Sequence, residues 1–262
     1  MSPQAKGRTN AVSRSSAKTA RQAPPKTRAR IAASESERST EAVPLVLTPL
    51  HLSQAVADLS ERDARLAAAI AAVGPCTILP RREGTHFAHL ARNIVYQQLS
   101  GSAAATIHGR FLARVATPSD EAADHPAPEQ VLAADDEVLR SCGLSVAKIR
   151  AIKDLALHVI DGRLPLDRLD TLSDQAIIDA LVPVRGIGPW TAQMFLMFRL
   201  GRPDVLPVLD LGVRKGAQRI YRMRKLPDAA RLERVARKWR PWASVASWYC
   251  WRVVDLDDGG NW

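Results

Sequence analysis

The sequence predicts an all-α protein of about ten helices arranged in two lobes. Apolar residues recur three or four positions apart along most of the chain, which is the spacing of one helix face. Residues that favour helix starts and ends, such as Ser, Thr, Asp and Gly, stand at the borders of these segments. Runs of alternating β-branched residues, which would indicate strands, are nearly absent.

The first two helices are predicted to follow residue 42. Pro44, Thr48 and Pro49 lead into the ordered region, and helical spacing of apolar residues begins after His51. Ser60 with Asp63 is predicted to form a capping box that opens the second. The apolar residues that recur at helical spacing in these two segments are Leu52, Val56, Leu59, Leu66, Ile70 and Val73.

Two further helices are predicted on either side of an interruption at 99–101. The first carries its apolar residues within 87–95, and the second within 104–111. The polar segment that follows, 117–128, contains prolines and is predicted to be a loop.

Three more helices are bounded by capping residues. Residues 131–140 are predicted to form one helix, and a second helix carries apolar residues at helical spacing within 149–159. A third runs through 174–181. The residues expected to start or stop these helices are Gly143, Ser145, Gly162 and Thr171 with Asp174.

Length and composition restrict the class of protein. A chain of 262 residues with 46% hydrophobic residues can bury a substantial core and is typical of a soluble globular protein. Its apolar runs are far shorter than the roughly 18 residues of a membrane-spanning helix, so no membrane partner is expected. Three widely spaced cysteines predict buried thiols rather than a disulfide framework or a metal site.

Positive charge is concentrated in two segments of a chain whose net charge is +10. Residues 1–42 hold nine Lys/Arg and three Glu, and residues 199–240 hold thirteen Lys/Arg and four acidic residues. This pattern predicts a polyanionic partner such as nucleic acid, although solvated Arg-rich helices give the same composition. Because 1–42 lacks apolar periodicity, we expect a disordered basic tail followed by a folded domain over 43–262.

The stretch VRGIGPWTA at 184–192 predicts a tight turn between two helices. Pro189 suits the first position of the second helix, because the N–H that it lacks would be unpaired there. Gly186 and Gly188 permit a sharp turn and keep side chains away, so successive N–H groups point outward and can bind one phosphate. An ordinary turn between helices is the alternative interpretation.

Several motifs resemble, in order, the helix-hairpin-helix superfamily of DNA glycosylases, known as HhH-GPD for its hairpin, Gly/Pro-rich loop and aspartate. VRGIGPWTA resembles the hairpin, and GRPDVLPVLD at 201–210 resembles the loop that ends in the aspartate. IVYQQLSGSAA at 94–104, CGLSVAKIRAIKDLA at 142–156 and WRPWASVASWYCWR at 239–252 are similar to the 3-methyladenine DNA glycosylase II branch. The resemblance implies a two-lobed helical glycosylase fold, in the compact form without an extra N-terminal β domain.

The resemblance implies removal of alkylated purines of the 3-methyladenine type by hydrolysis of the N-glycosidic bond, the first step of base excision repair. The sugar gains positive charge as the bond breaks, and a fixed carboxylate can stabilise that charge. Asp210 matches the family's aspartate, and a helix N-cap is its other interpretation. Asp204 is the second candidate, which we expect instead to make local hydrogen bonds within its loop. None of the six histidines stands out as a general acid.

Trp190 occupies the position at which lyase-type relatives carry a lysine nucleophile. Tryptophan cannot form a Schiff base, so the resemblance implies a monofunctional hydrolase without lyase activity. It also implies that Trp190 forms a wall of the base pocket, where an aromatic face attracts a cationic alkylated purine. Core packing is the alternative interpretation. Cys250 is the only cysteine in the region of the family's iron–sulfur loop, so no cluster is expected.

The resemblance also indicates which residues contact DNA. The hairpin is expected to bind the backbone, and the residues at 97–99 to enter the space left by the flipped base. Ser100, Thr191 and two basic residues after Asp210 are expected to contact phosphates. Capping, packing or solvation are their alternative roles. The expected DNA-binding residues are Gly186, Gly188, Thr191, Gln97, Gln98, Leu99, Ser100, Arg214 and Lys215.

Double-stranded DNA containing alkylated bases is therefore the expected partner of a monomeric enzyme. No metal ligand is expected among the side chains, although the fold is known to hold a monovalent cation on the backbone carbonyls of its hairpin. The expected location is the cytoplasm, at the nucleoid, in a bacterium, or the nucleus in a eukaryote. Two other functions stay open: a non-enzymatic hairpin module that binds DNA or scaffolds repair proteins, and a glycosylase for oxidised or mismatched bases.

Overall fold

The computed structural model describes residues 45–116 and 125–257, so the predicted tail over 1–42 and most of the predicted loop over 117–128 lie outside it. The described residues form twelve α-helices, two 3₁₀ helices and no strand, which confirms the all-α prediction. The α-helices are α1 (Pro49–Arg62), α2 (Ala64–Val73), α3 (His86–Tyr96), α4 (Gly101–Val115), α5 (Pro128–Ala133), α6 (Asp136–Ser141), α7 (Val146–Ile160), α8 (Asp174–Leu181), α9 (Pro189–Phe198), α10 (Leu211–Ile220), α11 (Ala229–Ala236) and α12 (Ala243–Asp257). The 3₁₀ helices are Leu166–Thr171 and Arg237–Trp239.

The helices pack as the two predicted lobes. One lobe combines the two ends of the folded region, because α12 packs along α10 and against α1 and α2. The other contains the middle of the chain, where α7 contacts α3, α5 and α6, and α9 contacts α8 and α3. Apolar side chains from both lobes form one buried cluster, whose removal from water is the main source of stability. Among the described helices, none has the length and apolar character needed to cross a bilayer.

The boundaries of α7 follow the predicted residues, because the Ser145 hydroxyl accepts the N–H of Lys148 at its start. The Thr48 hydroxyl, which was not predicted as a cap, accepts the N–H of His51 at the start of α1. Gly162 adopts a φ of +68° just after α7, a conformation that glycine adopts readily.

The boundary predicted at Ser60 is wrong. The first helix continues through Ser60, and Asp63 is itself the N-cap of α2, since its Oδ1 accepts the N–H groups of Arg65 and Leu66. The other carboxylate oxygen of Asp63 accepts the Tyr221 hydroxyl at 2.8 Å. A contact with a residue so far along the chain therefore helps to fix this boundary.

Two other boundaries also differ from prediction. The single helix predicted over 131–140 is interrupted by extended backbone at Ala134 and Asp135, which separates α5 from α6. Acidic residues in the first turn of α6 favour a new helix start there, because they complement the helix dipole. Ser173, rather than Thr171, caps α8, and the Thr171 hydroxyl instead donates to the Arg168 carbonyl.

Arg199, which follows α9, holds the loop that precedes α3. Its guanidinium donates to the carbonyls of Arg81, Glu83 and Gly84 and to the His86 ring. The backbone N–H of Arg81 in turn donates to the Phe198 carbonyl at 2.8 Å. These bonds fix the Arg81 backbone at the end of α9, where it borders the site described below.

The three cysteines are free thiols. Cys142 and Cys250 are buried, and Cys76 is half-buried. Burial raises the pKa of Cys76 to about 12 and also raises the pKa of Cys142 and of Cys250. All three are therefore protonated at neutral pH.

Candidate active site

Asp210 lies at the border between the two lobes, where it caps α10. Its Oδ1 accepts the backbone N–H of Val213 at 2.7 Å and the indole N–H of Trp251 at 2.8 Å. Its Oδ2 accepts the indole N–H of Trp190 at 2.7 Å. A carboxylate offers about four acceptor positions, so Oδ2 retains one for a water molecule or a substrate.

Two glycines in α10 allow Trp251, on α12, to reach the carboxylate. A Cβ at Gly212 would lie 2.6 Å from the Trp251 ring, and one at Gly216 would overlap the Cys250 carbonyl. Because that carbonyl belongs to the α12 backbone, it cannot move aside without shifting the helix. The close contact between α10 and α12, and with it the orientation of Asp210, therefore depends on these glycines.

A cavity of about 510 Å³ opens between α3 and α9, within the size range of small-molecule sites. From α3 it is lined by His89, Arg92, Asn93 and Tyr96, and from α9 by Trp190, Thr191, Met194 and Phe198. Both sets recur at three- and four-residue spacing, so each is one helix face. Arg81, Gln97 and Gln98 complete the wall. Asp210 is not part of this wall, and the Trp190 indole connects the two.

The aromatic side chains of the cavity differ in how much of their surface is free. Trp190 is 47% exposed, although its N–H is held by Asp210. Phe198 stacks on Trp251, with 5.8 Å between ring centroids. The Arg92 guanidinium lies over the Tyr96 ring, 3.8 Å from its centroid. The cavity is therefore part aromatic and part cationic.

The hairpin between α8 and α9 is held from two sides. The backbone N–H of Arg185 donates to the Asp154 carboxylate at 2.7 Å, and the Gly186 carbonyl accepts the Gln97 amide at 2.9 Å. Gly186 has a φ of +79°, and a Cβ there would lie 3.1 Å from the Ala151 side chain. Gln97 thus joins the hairpin to the turn after α3.

Gly188, the N-cap residue of α9, is not required by the packing of the protein itself. Its φ of −94° is ordinary, and a Cβ at this position would meet nothing within 4 Å. Thr191, one turn further on, is buried, and its hydroxyl lies 3.5 Å from the Gln97 amide nitrogen. Gly188 therefore leaves open space beside the N-terminus of α9, the end of a helix at which an anion is favoured.

The turn between α3 and α4 presents two side chains to solvent. Gln98 has a φ of +57°, which is uncommon for a residue other than glycine, and it is exposed. Leu99 is 38% exposed, and the Ser100 hydroxyl accepts the Ala103 N–H as the N-cap of α4. The structure therefore places Gln97 against the hairpin and Gln98 and Leu99 at the surface.

Three predicted charged residues lie away from the cavity wall. Arg214 donates through Nε to the Pro227 carbonyl at 2.7 Å, and Lys215 is exposed on α10. Asp204 accepts the N–H of Ala243, at the start of α12, and pairs with Arg240 at 3.0 Å. The prediction of local loop bonds for Asp204 is therefore wrong, because its partners are more than thirty residues away.

Sequence reasoning assigned no role to several residues of the site. Trp251 lies within a motif that was singled out, but its bond to Asp210 depends on the packing of α12 against α10. Three other residues of the cavity, Arg92, Asn93 and Tyr96, could have been identified from the sequence. Together with His89 they place polar or aromatic groups on one face of an otherwise apolar helix, a pattern that indicates a lined cavity.

Over the described residues, no group of three or more His, Cys, Asp and Glu side chains could hold a metal ion. A monovalent cation at the hairpin would use backbone carbonyls, and two of these already accept protein donors. The Val184 carbonyl accepts the Ile187 N–H at 3.0 Å, and the Gly186 carbonyl accepts the Gln97 amide. The hairpin carbonyls therefore fit such an ion only in part, because two of them already have protein donors. The three hydrogen bonds that orient Asp210 form without the ion.

Comparison with known proteins places this geometry in a family. A family model described as HhH-GPD superfamily base excision DNA repair protein matches residues 91–241, which include the hairpin and Asp210. The chain is 31% identical over 215 residues to DNA-3-methyladenine glycosylase 1 of Schizosaccharomyces pombe, covering 82% of this chain and 90% of that protein.

Two solved structures are similar over most of the folded region. The crystal structure of DNA-3-methyladenine glycosidase from Bacillus halodurans is 34% identical with a TM-score of 0.69, and the match covers 78% of this chain and 91% of that one. The Schizosaccharomyces pombe 3-methyladenine DNA glycosylase in complex with abasic DNA is 31% identical with a TM-score of 0.67, covering 79% and 100%. The chain therefore belongs to the HhH-GPD superfamily of base excision DNA repair proteins.

Proposed function

We propose that the protein is a monofunctional DNA glycosylase that removes alkylated bases of the 3-methyladenine type from duplex DNA. The observation that carries this proposal is the Asp210 carboxylate, oriented by three N–H donors and joined through Trp190 to a cavity large enough for a base. The names of the similar proteins support the substrate class. We also propose that the enzyme acts as a monomer.

The hairpin and the turn after α3 are the proposed contacts with DNA. The open N-terminus of α9 at Gly188 suits one phosphate, because its N–H groups and the helix dipole both favour an anion. Flipping a base out of the duplex costs a few kcal/mol, least for a damaged pair. Leu99 and Gln98, exposed on a turn tied to the hairpin through Gln97, would fill the gap and offset part of that cost.

Asp210 is the proposed catalytic residue. The C1′–N bond breaks with its electron pair passing to the departing base, which leaves positive charge on the sugar. The Asp210 carboxylate stabilises that charge, and the free acceptor position on Oδ2 can orient a water molecule toward C1′ and take its proton. Trp190 supplies an indole rather than an amine at this point. Water is therefore the nucleophile, and no covalent enzyme–sugar bond forms.

Asp210→Asn tests the proposal directly. Asparagine caps a helix as well as aspartate does, so the fold should persist while the negative charge is lost. We expect the rate of methylated-base release from alkylated duplex DNA to fall by about a hundredfold to a thousandfold, the loss typical of one transition-state charge contact. Single-turnover release measured by chromatography, with the thermal midpoint recorded in parallel, provides the readout.

Asp228→Asn is the matched control. Asp228 caps α11, where its Oδ1 accepts the Arg231 N–H at 2.7 Å, and it takes no part in the site. Its activity should equal that of the parent. Equal release by the Asp210 and Asp228 variants would show that the site is misassigned. Tight binding of damaged DNA by the parent protein, with no base released, would favour a non-enzymatic binding module.

A further inference from the structure

The basic residues of 199–240 divide into two groups in the folded structure. Of the thirteen Lys/Arg in this segment, five arginines donate side-chain hydrogen bonds to the protein, namely Arg199, Arg202, Arg214, Arg219 and Arg240. Seven others are all exposed, and over the described residues their side chains form no hydrogen bond or ion pair. These seven, which we call the basic face, are Arg222, Arg224, Lys225, Arg231, Arg234, Arg237 and Lys238.

A contact between distant residues gathers the basic face into one part of the surface. Tyr221, which precedes Arg222, stacks on Trp239, which follows Lys238, with 6.4 Å between the ring centroids. The Trp239 indole N–H also donates to the Tyr221 hydroxyl at 2.8 Å. The two ends of the segment 222–238 are therefore held close together.

Nearby acidic residues leave most of this charge unbalanced. The segment 222–238 contains seven Lys/Arg and two acidic residues, Asp228 and Glu233, so its net charge is +5. The Asp228 carboxylate caps α11. Arg231 and Arg234 lie one turn apart on that helix, whereas Leu232 is buried on its other side. The outer side of α11 therefore presents positive charge to solvent.

The composition of this surface favours nucleic acid over other polyanionic partners. No large hydrophobic side chain is exposed between residues 212 and 255. A protein partner would need an apolar centre in the interface, and a membrane would need apolar side chains to insert. Interfaces with DNA are instead polar and strongly positive. Five of the seven residues are arginines, whose planar guanidinium can donate two parallel hydrogen bonds to one phosphate.

The basic face begins at the far end of the helix that Asp210 caps. The ten residues of α10 span about 15 Å, at 1.5 Å per residue, and Arg222 follows two residues after its last residue. This distance is about half of one helical turn of duplex DNA. The hairpin lies between α8 and α9 in the other lobe, so the basic face is a separate surface.

We propose that the basic face is a second DNA-binding surface, which contacts backbone phosphates of undamaged duplex and takes no part in recognising the damaged base. The inference rests on the proposed binding of duplex DNA, and it adds a contact outside the hairpin, the turn after α3 and Asp210. Phosphate contacts are the same for every sequence, so they allow a protein to slide and hop along DNA. The basic face would hold the enzyme on DNA while it searches for damage.

A variant that combines Arg231→Gln, Arg234→Gln and Lys238→Gln tests the proposal. Its affinity is measured by fluorescence anisotropy, over a series of salt concentrations, for an undamaged duplex and for the same duplex with one abasic site. We expect the slope of log K against log salt to become shallower by about 2.7, because each phosphate contact contributes about 0.9. Both duplexes should lose affinity by the same factor, since the lost contacts do not depend on damage.

A second variant, with Arg222→Gln, Arg224→Gln and Lys225→Gln, removes the other end of the basic face and should make the slope shallower to a similar extent. The thermal midpoint of each variant shows that it is folded. Parental slopes in both folded variants would overturn the inference alone, and an acidic protein would then be the better partner. Loss of affinity for the abasic duplex only would overturn it as well.

The control removes the same charge from another part of the surface. Arg110, Arg140 and Arg168 are exposed in the middle of the chain, and their combined replacement by Gln should leave the slope unchanged. An equal change in the control would mean that net charge, rather than the basic face, governs binding, which contradicts the inference. If the parent protein bound neither duplex, the proposed function would be refuted together with it.

Discussion

The geometry of Asp210 confirms that it caps a helix and is compatible with the proposed catalytic role. As a pattern, an aspartate before a helix is equally a cap and a catalytic candidate. The two carboxylate oxygens divide these tasks, because Oδ1 accepts the Val213 N–H of the cap and Oδ2 faces Trp190 and keeps a free acceptor position. The helix thus provides the rigid support that a catalytic carboxylate needs.

Trp251 is predicted to position Asp210 rather than to touch the substrate. Trp251→Phe keeps an aromatic ring against Phe198 but removes the N–H that donates to Oδ1. A hydrogen bond to a charged group contributes about 1.5–3 kcal/mol, so base release should slow by about tenfold to a hundredfold. The measurement is the single-turnover rate, with the DNA affinity of each variant as a second readout that should change little.

Trp248→Phe serves as the comparison for this prediction, since Trp248 lies on the same helix and contacts Tyr249 and Arg252 instead. Its rate should stay near that of the parent. If both tryptophan variants slowed base release equally, the effect would come from loosening of α12, and the assignment of Trp251 would be wrong.

At the scale of elements, the contact between α10 and α12 sets the geometry of the site. Gly216→Ala should destabilise the protein by about 3 kcal/mol and reduce base release, because the added methyl meets the α12 backbone at Cys250. Chemical denaturation and single-turnover kinetics measure the two effects.

Gly109→Ala in α4 makes a matched test of that prediction. A Cβ at Gly109 meets nothing within 4 Å, so alanine should stabilise this helix by about 0.5–1 kcal/mol through backbone entropy. We therefore expect Gly216→Ala to lower the free energy of unfolding and Gly109→Ala to raise it. Destabilisation of similar size in both would mean that helix propensity, rather than packing against α12, governs position 216.

The sequence predicted which elements exist better than where they begin. Periodicity alone located most helices, because each buries one apolar stripe. The start of α2 was missed because Asp63 is also held by Tyr221, whose hydroxyl in turn accepts the Trp239 indole N–H. Contacts of this kind depend on residues more than 150 positions away, and no local pattern contains them.

At the scale of the whole molecule, the site also combines local motifs, which the sequence reveals, with long-range contacts, which it does not. Asp210, Trp190 and the hairpin could be proposed from the sequence because they lie in short motifs. The cavity could not be predicted, because its walls come from α3 and α9, about a hundred residues apart. Its positive charge is apparent only in the folded structure, where both Arg81 and Arg92 line it. The expectation of an aromatic pocket for cationic purines did not include these two arginines.

Two buried histidines predict how stability responds to acid. Burial lowers the pKa of His89 and of His108 to about 4, whereas an unfolded histidine titrates near 6.5. Between these values the unfolded chain binds more protons, so stability is lost as the pH falls from about 6.5 toward 4. His108→Gln should therefore lose a few degrees less in thermal midpoint than the parent between pH 7.5 and 5. An identical pH dependence would contradict this prediction.

The three protected thiols have a consequence for an enzyme that repairs alkylation damage. The reagents that methylate DNA also attack sulfur, and they react with thiolates far faster than with thiols. Because Cys142 and Cys250 are buried and all three thiols are protonated, the native protein should resist S-methylation, and only the half-buried Cys76 should react with Ellman's reagent before denaturation. The enzyme would then keep working in a cell exposed to the very chemicals that create its substrates.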